Sequence, residues 1–243
     1  MNLNRNKALL TTAIIVCVSF GSSASAYSIT DDFTTSQNPN GVWTYGWLDS
    51  LGGAFTTYDQ LTTETFGSTI SIWKDSSSPG GRGDAPAIAI NSSGATYTGW
   101  AGTHVFQTGW AAFHPGINGY ISDYRFTAPD AGIYNIAFDF EGADSWTYGP
   151  TSTQVFIRTN TDILYSEFIT GSGYQSRRSF SGTVSLSEGQ VLDIGVMDGG
   201  NGFYNDLTAI RGRIAAVPVP GTYAMMLAGL GVIGGVARRR SIG

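Results

Sequence analysis

Asp198, Asn201, Asn205 and Asp206 fall within one glycine-rich stretch, Asp-Gly-Gly-Asn-Gly-Phe-Tyr-Asn-Asp. Carboxylate and amide oxygens are the hard ligands that Ca²⁺ takes, and the intervening glycines let backbone carbonyls turn inward to complete a shell. The spacing is not that of an EF-hand, which sets acids or amides at alternate positions and closes with a glutamate. A structural calcium ion held by these four residues would suit a domain that lacks disulfides. The competing reading is a long hairpin whose Asp and Asn side chains close turns on their own backbone.

Aromatic residues form a second group. Trp43, Tyr45 and Trp47 cluster early, and Trp100, Trp110 and Phe113 flank a glycine-rich segment around His104. An exposed aromatic face stacks on the apolar face of a sugar ring, and neighbouring Asp or Asn side chains fix the hydroxyls. Trp100 and Trp110 are the candidate glycan-stacking residues on this basis, against the alternative that they belong to the core.

Catalytic groups are sparse. The chain holds two histidines, His104 and His114, and no G-x-S-x-G nucleophile elbow. His114-Pro115-Gly116 reads as a turn with a partly buried imidazole. Hydrolysis of a glycosidic bond needs two carboxylates roughly 5–10 Å apart across a cleft. Asp139, Glu141 and Asp144 supply carboxylates, the first two on one face of a strand. The reading preferred is a solvated strand edge whose acids keep the surface soluble. The chain is therefore expected to be non-enzymatic, with a hydrolase of matrix polysaccharide or a purely structural envelope protein as the alternatives.

The elements that must position these groups are strands. Tyr134, Ile136, Phe138 and Phe140 alternate with Asn135, Ala137, Asp139 and Glu141, and Leu192, Ile194 and Val196 alternate with Asp193 and Gly195. A period of two marks a strand with one face in a core. Further strands are expected at 69–73, 87–90, 121–126, 153–158, 163–169, 179–186 and 207–214. Turn residues separate them at 78–81, 129–132, 149–150, 187–189 and 198–202. No amphipathic helix and no internal repeat interrupts this pattern. The expected fold is all-β, a β-sandwich of the jelly-roll kind.

Charge is partitioned unevenly. Five of the 13 basic residues (Arg5, Lys7, Arg238, Arg239, Arg240) lie in the flanks, whereas all 18 acidic residues lie between them. Eight bases against 18 acids leave the body at −10. Such a surface repels nucleic acid and anionic lipid, and no nucleic-acid partner is expected.

Both ends carry targeting features. Arg5 and Lys7 precede an apolar run from Ala8 to Phe20, and Ala24-Ser25-Ala26 forms an A-x-A site. Residues 1–26 thus read as a secretory signal peptide cleaved after Ala26. The only cysteine, Cys17, leaves with it, so the mature chain has no disulfide. The sandwich domain is expected at 27–215 and a tail at 216–243. Within the tail, residues 221–237 are uncharged and, as a helix of about 25 Å, form a short transmembrane segment against a hydrocarbon core of about 30 Å. The arginines that follow should stay cytoplasmic.

The tail's order of features (Val217-Pro218-Val219-Pro220, Thr222, the apolar stretch 227–236, then Arg238-Arg239-Arg240) resembles the PEP-CTERM sorting signal of Gram-negative bacteria. That resemblance implies export to the cell surface or extracellular matrix and an exosortase-type processing protease as partner. The family usually carries Glu between the two prolines, where this chain has Val219. Processing and retention as a membrane anchor both stay open. The body resembles galactose-binding-like sandwiches at Asp32-Phe33, 38–43, His114-Pro115-Gly116, 125–134 and 198–202, which implies polysaccharide as a second partner.

Overall fold

The computed structural model describes residues 25–66, 68–77, 85–99, 102–146, 149–218 and 229–231. The body forms one unit, Ala24–Val217, and the flanking segments fall outside it. Among the described residues the body is built from strands, with short 3₁₀ turns that include Ile117–Gly119 and Tyr174–Ser176.

The strands in chain order are β1 (Ala26–Ser28), β2 (Trp43–Leu48), β3 (Phe55–Thr57), β4 (Gln60–Phe66), β5 (Ser68–Lys74), β6 (Ala87–Ile90), β7 (Tyr97–Gly99) and β8 (His104–Phe106). There follow β9 (Ala111–His114), β10 (Ile121–Thr127), β11 (Gly132–Gly142), β12 (Ser152–Thr159), β13 (Ile163–Thr170), β14 (Arg178–Leu186), β15 (Val191–Met197) and β16 (Thr208–Ala216). An eight-stranded sheet runs β14-β11-β16-β9-β6-β5-β4, with β1 also on β16. A six-stranded sheet runs β13-β12-β15-β10-β2-β3, and β7 and β8 form a separate hairpin. All pairings are antiparallel. The chain is all-β, with two sheets packed as a sandwich.

The main core lies between the sheets. β11 contributes Tyr134, Ile136, Phe138 and Phe140, and β15 contributes Leu192, Ile194 and Val196, the alternations expected from the sequence. Trp43 and Tyr45 of β2 and Tyr124 and Phe126 of β10 meet them as an aromatic layer, with Trp43 edge-on to Tyr124 at 4.9 Å. Each such buried side chain contributes about 1.5–3 kcal/mol. Buried hydroxyls are satisfied within this layer: Tyr124 Oη donates to Ile29 O at 2.8 Å, and Ser122 Oγ donates to Ala87 O at 2.8 Å. The core thus joins the sheets without a disulfide.

Two smaller clusters lie on the outer faces. On the eight-stranded sheet Ile70, Ala89, Ala112 and Ala209 are covered by Tyr97 and Phe106 of the β7–β8 hairpin, together with Trp110. On the six-stranded sheet Leu48, Ile121 and Phe156 pack with Phe55 and Met197. The sheets depart from expectation at two places. Asp193 lies on an outward position of β15 yet is wholly buried. β11 is not a sheet edge, because β14 and β16 flank it.

The expected cleavage point lies within paired backbone: Ala26 stands opposite Ala215, and the Ala216 N–H donates to Ser25 O at 2.9 Å. Most of the expected transmembrane segment lies outside the described residues; 229–231 are helical. Among the described residues no helix is long and apolar enough to cross a membrane.

Candidate functional site

The connections 143–151, 171–177 and 198–207 meet at one end of the sandwich, because β11, β13 and β15 all finish there and β12, β14 and β16 all start there. Backbone bonds lace them together. Gly171 N donates to Thr151 O and Gly173 N to Gly142 O, both at 2.8 Å, and the Ala143 N–H donates to Leu207 O at 2.8 Å. Asn201 Nδ2 donates to Ser152 Oγ at 2.8 Å.

Among the described residues, three aromatic side chains stand out from these connections. Tyr174 is 72% exposed, Tyr204 74% and Trp146 40%. Each is held from below. Tyr204 stacks on the buried ring of Phe203 at 4.3 Å, and the Arg177 guanidinium lies 4.6 Å from the Tyr174 ring centroid. The Trp146 N–H donates to Asp144 Oδ1 at 2.9 Å. Fixed backbones with free ring faces are what stacking on a flat apolar ligand face requires.

The glycine-rich stretch is part of this end. Asp198 Oδ1 accepts the Gly200 N–H at 2.9 Å, an Asx turn. Asn205 takes a left-handed backbone conformation, φ 65°. Asp206 is buried, and its Oδ1 accepts from Ser152 N at 3.0 Å and Ser152 Oγ at 3.2 Å. Its other oxygen, Oδ2, meets no donor. Burial, reinforced by the charges of Asp198 and Asp144 against the Ser152 bonds, pushes the Asp206 carboxyl up to about 7. Among the described residues no three His, Cys, Asp or Glu side chains gather as a metal-ligand group.

The expected stacking pair fares differently. Trp110 is only 4% exposed. It packs in the outer cluster beneath the β7–β8 hairpin, and the guanidiniums of Arg177 and Arg211 lie 5.1 and 4.7 Å from the ring centroid. With its ring so covered it offers no face to a sugar. Trp100 lies outside the described residues. The early cluster is also structural: Trp43 and Tyr45 are core, and Trp47 donates from Nε1 to Asp75 Oδ2 at 2.7 Å.

The three carboxylates singled out for hydrolysis are each engaged separately. Asp139 Oδ2 takes Arg211 Nη2 at 2.8 Å while its Oδ1 takes Ser179 Oγ at 2.6 Å. Burial opposes the charge on Asp139, but the Ser179 and Arg211 hydrogen bonds outweigh it and hold the carboxyl below its usual range. Glu141 pairs with Arg177 at 2.7 Å. Asp144 is buried and lies 3.0 Å from His104 Nε2. His114 ends β9 instead of sitting in a turn, with Phe203 edge-on at 6.2 Å.

Sequence reasoning missed Trp146, Tyr174 and Tyr204. The one signal available was glycine beside them, at Gly149, Gly173 and Gly202, marking chain reversals at the surface. Of the tail residues, Val217 and Pro218 are exposed, whereas Val219, Pro220, Thr222 and Arg238–Arg240 lie outside the described residues, as does Ala24.

Residues 216–241 match the PEP-CTERM protein-sorting motif. No curated protein matches the chain. Among solved structures, the body is similar to a family 35 carbohydrate-binding module from Clostridium thermocellum, at 11% identity, 60% of this chain, 90% of that chain and a TM-score of 0.28. It is also similar to CBM51 from Clostridium perfringens GH95, solved with methyl-galactose, at 16% identity, 65% of this chain, 94% of that chain and a TM-score of 0.35. At these values the similarity says nothing about ligand.

Proposed function

We propose that the body is a non-catalytic glycan-binding module of an exported, envelope-associated protein, and that Tyr174, Tyr204 and Trp146 form its stacking platform. The observation that carries this is the exposure of three aromatic rings on three laced loops at one end of the sandwich. Isolated exposed aromatics are ordinary, but a group on adjoining loops marks a binding surface. The separate engagement of Asp139, Glu141 and Asp144 supports the non-catalytic reading.

The order of strands is read as a jelly roll. The PEP-CTERM match supports export, with residues 1–26 as the signal peptide, 221–237 as the membrane segment and an exosortase-type protease as processing partner. A structural calcium ion at the 198–206 loop belongs to the same proposal, supported by the orphaned Asp206 Oδ2. Chelation is expected to lower the Tm of the purified protein, and an unchanged Tm would end the calcium reading.

The platform is tested on a glycan array with the purified protein and a Tyr174→Ala, Tyr204→Ala double variant. Binding by the wild type that drops about tenfold or more in the variant is expected, since aromatic stacking is a principal term in such sites. Absence of wild-type binding to any glycan would sink the reading.

A further inference from the structure

A groove of about 870 Å³ crosses the outer face of the eight-stranded sheet, over β1, β16, β11 and β14. Four strands span roughly 14 Å from first to last, which is room for a short polymer segment and not only an ion. Its floor is set by the strand register. Asp139 of β11 stands opposite Arg211 of β16 on one side and Ser179 of β14 on the other. Two residues along the same strands, Ala137 stands opposite Arg213 and Ser181. All six residues share one face by the two-residue period of a strand, and all six line the groove.

The two rows therefore present the same donors around different centres. In the first row the Asp139 carboxylate is gripped by Arg211 Nε and Nη2, at 2.9 and 2.8 Å, and by Ser179 Oγ at 2.6 Å. In the second row Arg213 and Ser181 flank a methyl group. Arg213 is exposed, and among the described residues no carboxylate lies within ion-pair distance of it. The small Ala137 side chain leaves open the position that Asp139 fills with its own carboxylate next door.

We propose that the space over Ala137 is a carboxylate-binding subsite, with Arg213 and Ser181 as donors, and that its ligand is a uronic-acid residue of an acidic polysaccharide. A guanidinium donates charge-assisted N–H···O bonds to a carboxylate, and the neighbouring row displays the arrangement inside the protein, with Arg211 Nε and Nη2 both on Asp139 Oδ2 and Ser179 Oγ on Oδ1. The body's charge of −10 repels a long dense polyanion at long range, so a short uronate oligomer is the fitting probe of the site. The anion site stands on its own register argument; only the choice of a polysaccharide as carrier rests on the glycan-binding reading.

The test is calorimetric titration of the full-length protein with trigalacturonate, its methyl ester and a triglutamate peptide. Trigalacturonate is expected to bind, and both the methyl ester and the Arg213→Ala variant are expected to weaken binding about tenfold or more, the scale of a lost charge-assisted pair. Ala137→Asp is expected to block the site equally, by supplying from the chain the carboxylate that the ligand would bring. All of these positions are exposed, so the variants keep the fold, checked by an unchanged circular dichroism spectrum. No binding of trigalacturonate, equal binding of the ester, or an unaffected Arg213→Ala would overturn the subsite. Triglutamate binding as tightly as trigalacturonate would overturn the polysaccharide assignment. Failure of the aromatic platform is separable, because the platform is read from neutral glycans on the array, whereas the subsite is read from the difference between trigalacturonate and its methyl ester and from Arg213→Ala.

Discussion

Asp123 lies diagonally across from Asp193 on the neighbouring strand, since Asp123 pairs with Gly195 and Arg125 with Asp193. Both acids are wholly buried, but only Asp193 is held by cations, with Arg125 Nε at 2.7 Å and Arg158 Nε at 3.2 Å. Neither oxygen of Asp123 meets a donor. The Phe55 and Phe156 rings crowd Gly46 and Gly195, the two register partners that flank it.

Burial, and then the charge of Asp193, push the Asp123 pKa well above its usual range, against the pull of Arg125 and Arg158. A buried carboxyl with a raised pKa favours its neutral form, which can donate to Asp193. Its contribution is full below the unfolded value of about 3.9 and is lost as pH rises through the folded pKa. Asp123→Asn, whose amide can donate without ionising, is expected to lose less unfolding free energy than the wild type between pH 5 and pH 9. Urea denaturation at the two pH values measures this, and parallel losses would contradict the assignment.

Trp110 fixes the outer cluster beneath the β7–β8 hairpin. Trp110→Ala removes a buried indole and the ring face that meets Arg177 and Arg211. The expected cost is about 3–5 kcal/mol, read from the urea midpoint. A cost near zero would mean that the indole is not packed as described.

Gly46 lets the edge strand β3 approach β2. A Cβ there would collide with the Thr56 carbonyl and the Phe55 ring. Gly46→Ala is therefore expected to destabilise by about 1–3 kcal/mol, as overpacking does. Hydrogen exchange should show the loss first in β3, whose pairing covers only Gly46–Leu48.

The two ends of the mature protein can be read by mass spectrometry of material from cells. An N-terminus at Tyr27 is expected, leaving Tyr27 and Ser28 paired with Ile214 and Arg213. A C-terminus upstream of Arg238 is expected if the PEP-CTERM motif is processed. A mass that includes Arg238–Arg240 would instead mark a retained anchor.

Legibility followed periodicity. Strands with one wet and one dry face, such as β11, could be read directly. β9 could not, because Ala111 and Phe113 enter the main core while Ala112 enters the outer cluster, so no polar alternation survives. The three-residue strands β1, β3, β7 and β8 are too short to carry a period. The aromatics of β2 were legible as a cluster but not as core.

Composition and local order alone determined the all-β class, the acidic body without disulfides and the sorting tail, because each depends on neighbours along the chain or on totals. Tertiary structure decided which aromatics are free: Trp110 and Tyr174 each stand in the sequence as an aromatic ring with a polar handle, and only packing covers the one and exposes the other. It also decided the meaning of Arg213. Whether an arginine faces an acid or a methyl group depends on the register of β16 against β11, strands some 70 residues apart, and pairing at that distance is set by how both sheets bury the common core.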